Sequence, residues 1–375
     1  MRLYGPSAVD GYVQPMFTSR PSRRVAWVGA LAATCLAFAL VSCSSDSGGD
    51  ASSATASTDN TTTTADLSGQ AEANGGGEDG GGTIKVLTYN VAGLPIEISK
   101  EHPDVNIPLI SPKLKDYDVV LTQESFDWWK PGGLAAGLDF THYLERLRAG
   151  TDQKYHTPVH PGPEAVDLAE DRRADLQIGD GLNVLSRYPI SDTVRVPWTR
   201  CFGGLDTSDH GAADCLAMKG FLVTEMKLAD GSTVDLYDLH GEAGGSTTDQ
   251  ELQAADFVQL ADYIDAHSKG HAVILAGDTN LHTEEAGPDA HEDSGGGADL
   301  VIWTRFLDAT GLTDSCDATS CEDTGRIDKV AFRSGAGVDL AVLDYGVEGD
   351  TFVDAAGKDL SDHQPVAVTF RWTPA

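Results

Sequence analysis

Ala272-Val273-Ile274-Leu275-Ala276-Gly277-Asp278-Thr279-Asn280 is the stretch on which the reading of this chain turns. Its five leading residues are all apolar, and a run this short suits a strand covered on both faces better than a helix. The run passes directly into Gly277, which tolerates a sharp change of direction, and then into Asp278 and Asn280, whose short side chains accept turn geometry. Taken by itself Asp-x-Asn is only a turn. At the mouth of a buried strand, however, it sets two oxygen-bearing side chains where loops on a rigid scaffold carry chemistry.

Working outward, similar apolar or alternating runs recur at Thr83–Tyr89, Asp118–Thr122, Gly220–Glu225, Thr233–Leu239, Ile327–Phe332 and Pro365–Phe370, each predicted as a strand. Glu251–His267 is predicted as a helix with Leu252, Ala255, Val258, Ala261 and Ile264 on one face, and Leu300–Ala309 as a shorter one. Strands interleaved with helices and long loops imply a layered α/β or α+β domain. No internal repeat is visible.

Other polar strings also abut the strands: Tyr89-Asn90, Gln123-Glu124, Arg326-Ile327-Asp328 and Ser361-Asp362-His363. Together with Gly277-Asp278-Thr279-Asn280, and in this order, they resemble the DNase I-like endonuclease/exonuclease/phosphatase superfamily from about Ile84 to Phe370. Gly181-Leu182-Asn183-Val184-Leu185-Ser186-Arg187 resembles its G-x-x-x-x-S-R segment, and His240 ends a strand where relatives often carry a histidine. At that point the chain departs from the family, with Asp238-Leu239-His240-Gly241 where relatives commonly have T-H-L or N-x-H. The resemblance implies a four-layer sandwich of two β-sheets flanked by helices, and metal-dependent hydrolysis of a phosphate ester.

That chemistry demands positive charge and positioning, because water is a weak nucleophile and the phosphate is already anionic. Glu124 and the amide oxygen of Asn90 offer hard ligands for Mg²⁺ or another divalent cation, with Asp362 as an addition to the shell. His363 is the expected general acid/base, since imidazole titrates near neutrality, and the resemblance makes Asp328 its orienting carboxylate. Asp278 and Asn280 would polarise the attacking water and hold a phosphate oxygen. His240 would donate to the phosphate or leaving group, so Asn90, Asn280 and His240 form the expected substrate-binding set.

The substrate is less fixed by sequence. The formal net charge is −32, about −28 of it on residues 83–375, which makes a long polyanion such as DNA a poor partner. Phe126, Trp128 and Trp129 follow Glu124 as loop-packing aromatics or as contacts for a membrane or ligand. Asp214-Cys215-Leu216-Ala217-Met218-Lys219-Gly220 looks like the D-x-x-x-x-K-G stretch of bacterial sphingomyelinases. The leading expectation is a phosphodiesterase acting on a lipid head group or small diester. A secreted nuclease and a non-catalytic surface binding module are the alternatives, the last disfavoured by the intact polar set.

The N-terminus reads as a targeting segment over residues 1–43. Arg20, Arg23 and Arg24 precede an apolar run from Val25 to Val41, and Leu40-Val41-Ser42-Cys43 resembles a bacterial lipobox with Cys43 as the lipidated residue. An uncleaved membrane anchor is the competing reading. Residues 44–82, rich in Ser, Thr and Gly, form a tether that cannot bury a core, and residues 83–375 form the folded domain. The expected location is therefore the outer face of the cell membrane, with the protein a monomer. In that oxidising setting the even set Cys201, Cys215, Cys316 and Cys321 is expected to pair locally, Cys201 with Cys215 and Cys316 with Cys321. The spacing lacks the short paired gaps of common zinc clusters.

Overall fold

The computed structural model describes residues 80–375 except 97–100, 134–142, 167, 169–172, 207–210, 284–297 and 323–324. The targeting segment, Cys43 and nearly all of the tether lie outside the described residues. Among the described residues twelve strands form: β1 (Gly82–Asn90), β2 (Val119–Gln123), β3 (Tyr155–His156), β4 (Asn183–Ser186), β5 (Ile190–Pro197), β6 (Gly220–Lys227), β7 (Thr233–His240), β8 (Ala272–Asp278), β9 (Thr313–Asp314), β10 (Asp328–Arg333), β11 (Asp339–Val347) and β12 (Val366–Thr373). The helices are α1 (Pro103–Ile110), α2 (Tyr143–Ala149), α3 (Thr247–His267), α4 (Ala298–Thr310) and α5 (Ser315–Thr319).

The strands make two six-stranded mixed sheets, in the orders β11-β12-β1-β2-β4-β3 and β5-β6-β7-β8-β10-β9. β8 shows why its run is apolar without alternation. Ala272, Ile274 and Ala276 face the other sheet, meeting a core that includes Val86, Leu121 and Val368, while Val273 and Leu275 face α3 and α4. In β1 likewise Ile84 and Val86 point between the sheets, and Leu87 and Tyr89 point outward to Ile107 and Ile110 of α1 and Leu147 of α2. The layers are therefore helix, sheet, sheet, helix, as the family resemblance implied. Each fully buried aliphatic side chain in these interfaces contributes roughly 1.5–3 kcal/mol.

The α3 stripe differs from the predicted one. Leu252, Phe257, Leu260 and Ile264 are buried, with Gln253 and Asp256 among them, whereas Val258 is 61% exposed. The inward face is rotated to include Gln253 and Asp256, and Gln253 Nε2 donates to Glu242 O (3.0 Å) in the loop after β7. Its start is fixed by a capping box in which Ser246 Oγ accepts from Asp249 N and the Asp249 carboxylate accepts from Ser246 N. Both disulfides pair as expected, Cys201 with Cys215 and Cys316 with Cys321. Among the described residues, no helix is long and apolar enough to cross a membrane.

Candidate functional site

Register, more than any single motif, assembles the site. Asp278 at the end of β8 lies level with His240 of parallel β7 on one side and Asp328 of antiparallel β10 on the other. In the facing sheet, Asn90 at the end of β1 lies level with Gln123 of β2, which puts Glu124 one residue further on. Strand ends from both sheets thus converge. The Asn90 Nδ2 donates to Glu124 Oε1 (3.1 Å) and to Asp278 Oδ2 (3.0 Å), bridging the two sheets.

The Asn90 Oδ1 accepts the Ala92 N–H (3.0 Å), so the amide meets the carboxylates through nitrogen. The oxygen expected as a metal ligand accepts one N–H from the turn that follows β1, while the nitrogen bridges two carboxylates. Glu124 adopts φ +55°, a conformation that strains an L residue. Two glycines accommodate it: a Cβ on Gly93 would lie 2.1 Å from Glu124 O, and one on Gly181 would lie 3.0 Å from Glu124 Cα. The Gly181 of the G-x-x-x-x-S-R segment is thus a platform under Glu124. Arg187, at the other end of that segment, pairs with Asp118 (3.2 Å) and Asp152 (3.1 Å) beside the opposite end of β2.

His363 is held from three directions. Its Nδ1 lies 2.9 Å from Asp328 Oδ2, its Nε2 lies 3.7 Å from Asp278 Oδ2, and its backbone N–H donates to Ser361 Oγ (3.1 Å). The same Ser361 hydroxyl donates to Asn90 O (2.7 Å), tying the two chain ends of the site together. Burial works against the charged ring, but the Asp328 and Asp278 carboxylates outweigh it and hold the His363 imidazolium up to about 10. His240, with Nε2 3.4 Å from Asp278 Oδ2, goes the other way. Burial first, and the nearby Lys219 charge second, push it down to about 3. Against its own burial, His363 and Lys219 keep Asp278 below the usual carboxylate range. The surroundings thus favour the charged form of one ring and the neutral form of the other around a single carboxylate.

Asn280 sits at φ +52°, its N–H donating to Asp278 Oδ1 (3.0 Å) and its Nδ2 to Gly241 O (3.1 Å). Asp362 is exposed at the rim, with its carboxylate near the Ser361 hydroxyl (3.3 Å). Asp278, Asp328 and His363 offer ligand atoms within 4.8 Å of one another. Because His363 already bridges the two carboxylates, the hard-oxygen capacity of the site also draws on Glu124. Glu124 is half-buried, and burial raises its carboxyl against the pull of Asn90 and Lys219. A divalent cation relieves such a cost, so the donor set fits one.

Lys219 belongs to the site, although the sequence marks it only as one residue of a longer stretch. Its Nζ lies 2.5 Å from Asp214 Oδ1 and donates to Gly241 O (3.1 Å). The sequence signal for it is the D-x-x-x-x-K-G stretch. The Cys201–Cys215 disulfide and the Cys215 N–H donating to Gly203 O (3.0 Å) hold the loop that carries Asp214. Of the aromatics after Glu124, Trp129 packs on Phe126 (5.9 Å between ring centres), while Trp128 lines a cavity of about 580 Å³ with Lys130, Pro161 and Arg173.

The model of the Endonuclease/Exonuclease/phosphatase family matches residues 87–363. A sphingomyelinase of Mycobacterium tuberculosis is 30% identical over 311 residues, covering 78% of this chain and 53% of that protein, so the chain spans about half the length of this curated relative. Among solved structures, an endonuclease/exonuclease/phosphatase protein from Beutenbergia cavernae has a TM-score of 0.50 at 19% identity, covering 77% of this chain and 71% of that one. SmcL has a TM-score of 0.50 at 17% identity, covering 77% and 99%. With two facing mixed sheets and a matching stretch that runs from β1 to His363, the chain belongs to the endonuclease/exonuclease/phosphatase family.

Proposed function

We propose that this chain is a divalent-metal-dependent phosphodiesterase that hydrolyses a lipid head-group diester, with Mg²⁺ as the cation. The observation that carries the reading is the registered set His240, Asp278 and Asp328, closed by the His363 contact to Asp328. The lipid substrate rests on the likeness to the mycobacterial sphingomyelinase and on an acidic charge unsuited to long nucleic acid.

Glu124, with Asp362 at the rim, would hold the cation, which when bound supplies positive charge to a phosphate oxygen. The chain's own residues do the rest. Asp278, kept ionised by its neighbours, accepts a proton from the attacking water, and Asn280 fixes the turn beside it. His363, held by Asp328 and beside Asp278, is placed to act as the acid: its proton passes to the alkoxide as the P–O bond breaks, while Asp328 holds the ring in place. Neutral His240 contributes an N–H toward a phosphate oxygen without adding a second full charge.

The apolar run from Val25 to Val41, the Cys43 that closely follows it and the polar tether beyond support an exported lipoprotein held at the outer face of the membrane. Loss of membrane retention in Cys43→Ala is the expected result, and unchanged retention would remove that reading. For the catalytic reading, the test is Mg²⁺-dependent release from sphingomyelin, a phosphoglyceride, an inositol phosphate and plasmid DNA, with His363→Ala as comparison. The expected result is preference for a lipid and a loss of kcat of about 10²–10⁴ in the variant with its fold retained. DNA nicking in preference to lipid turnover would favour a nuclease instead.

A further inference from the structure

The chain leaving β7 is held by side chains from separate elements. Trp198 Nε1 donates to His240 O (2.8 Å), Lys219 Nζ and Asn280 Nδ2 donate to Gly241 O (each 3.1 Å), and Gln253 Nε2 donates to Glu242 O (3.0 Å). Gly241 passes so close to the neighbouring turn that a Cβ there would lie 2.3 Å from Thr279 O. This strip of chain fixes His240 against Asp278, and the Thr279–Asn280 turn lies directly beside it.

Asn280 joins the two sides directly through Gly241 O, and Gln253 touches both of them from a third element, α3. It sits in the inward stripe of α3, 1% exposed, where an apolar residue avoids the cost of burying an amide. Besides Glu242 O, its Nε2 reaches Gly244 O (3.3 Å) and Asn280 O (3.4 Å). Its Oε1 is buried with no hydrogen-bond partner among the described residues. The side chain is therefore used through its donor alone, and one NH₂ group spans the loop after β7 and the strained residue after β8.

Building on the phosphodiesterase reading, we propose that Gln253 is a positioning residue, latching the His240–Gly244 loop to the Asn280 turn so that His240 and Asn280 keep one geometry about Asp278. It touches no reacting atom. A small shift of groups aligned on a phosphate lowers the rate of the chemical step far more than it weakens binding.

The test separates donor from shape. Gln253→Met keeps the length without the donor, Gln253→Asn keeps the amide but withdraws it by one methylene, and Gln253→Lys supplies a donor of similar reach without the oxygen. The Met and Asn variants are expected to lose about 10- to 100-fold in kcat with KM within a few-fold of the parent, and the Lys variant to recover most of it. Wild-type kcat in a folded Met or Asn variant, or equal loss in Met and Lys, would overturn the latch. NMR reads the same point without turnover: the His240 ring and Asn280 amide resonances should move in Met and Asn and return in Lys. A wild-type protein inactive on every diester would sink the phosphodiesterase reading, while the resonances would still support the latch by moving as stated or overturn it by staying fixed.

Discussion

At the scale of single residues, what was legible depended on where a polar group sat relative to an apolar strand. Asp278, Asp328, Glu124 and His363 each stand at or just beyond a strand end, so their strings could be read. The donor direction of Asn90 could not, because it is set by the Ala92 N–H in the folded turn. Gln253 and Asp256 were hidden for a different reason: periodicity assigns inward positions to apolar residues, and these two break the pattern. Asp256 gives a pH prediction. Burial, opposed by Arg173 and aided by Asp214, pushes its carboxyl up to about 8. The unfolded chain ionises near the ordinary carboxylate value of 3.8 and the folded one near 8, so stability falls as pH rises across that window. Asp256→Asn mimics the protonated acid. It should leave the melting temperature unchanged at pH 4 and raise it by several degrees at pH 8, and an equal shift at both values would contradict this account.

At the scale of elements, the strands that were readable are those buried on both faces, such as β8, where the apolar run is continuous. β11 was not, since it is an edge strand with Leu343 and Val347 exposed and a register shift between Val342 and Asp344. α1 was missed because Pro108 interrupts an eight-residue helix and leaves it little periodic signal. The Gly181 segment was recognised as a string, but its physical content is the support it gives Glu124. Gly181 has φ +70°, and a side chain there would also press on Phe126 (2.8 Å). Gly181→Ala is therefore expected to cost about 1–3 kcal/mol in stability, measured by denaturant unfolding, and to lower turnover by displacing Glu124. An unchanged midpoint with full turnover would show that this platform is not needed.

At the scale of the whole molecule, the order helix, sheet, sheet, helix follows from two sheets each apolar on both faces, a pattern the family resemblance supplied and periodicity alone could not. The charge of this layered domain was legible in full. An excess of about 28 negative charges on residues 83–375 repels itself at low ionic strength, where screening is weak. Raising sodium chloride from low to physiological concentration should therefore raise the melting temperature, and a fall would point to stabilising ion pairs as the larger effect. The central claim, a cation held at Glu124 and serving hydrolysis at Asp278 and His363, is tested most directly by phosphocholine release from sphingomyelin after chelation and Mg²⁺ add-back, in the parent and in Glu124→Ala. We predict that chelation abolishes release, that Mg²⁺ restores it in the parent, and that it fails to do so in folded Glu124→Ala at the same concentration. Full activity of the parent in excess chelator, or full restoration in the variant, would contradict the account.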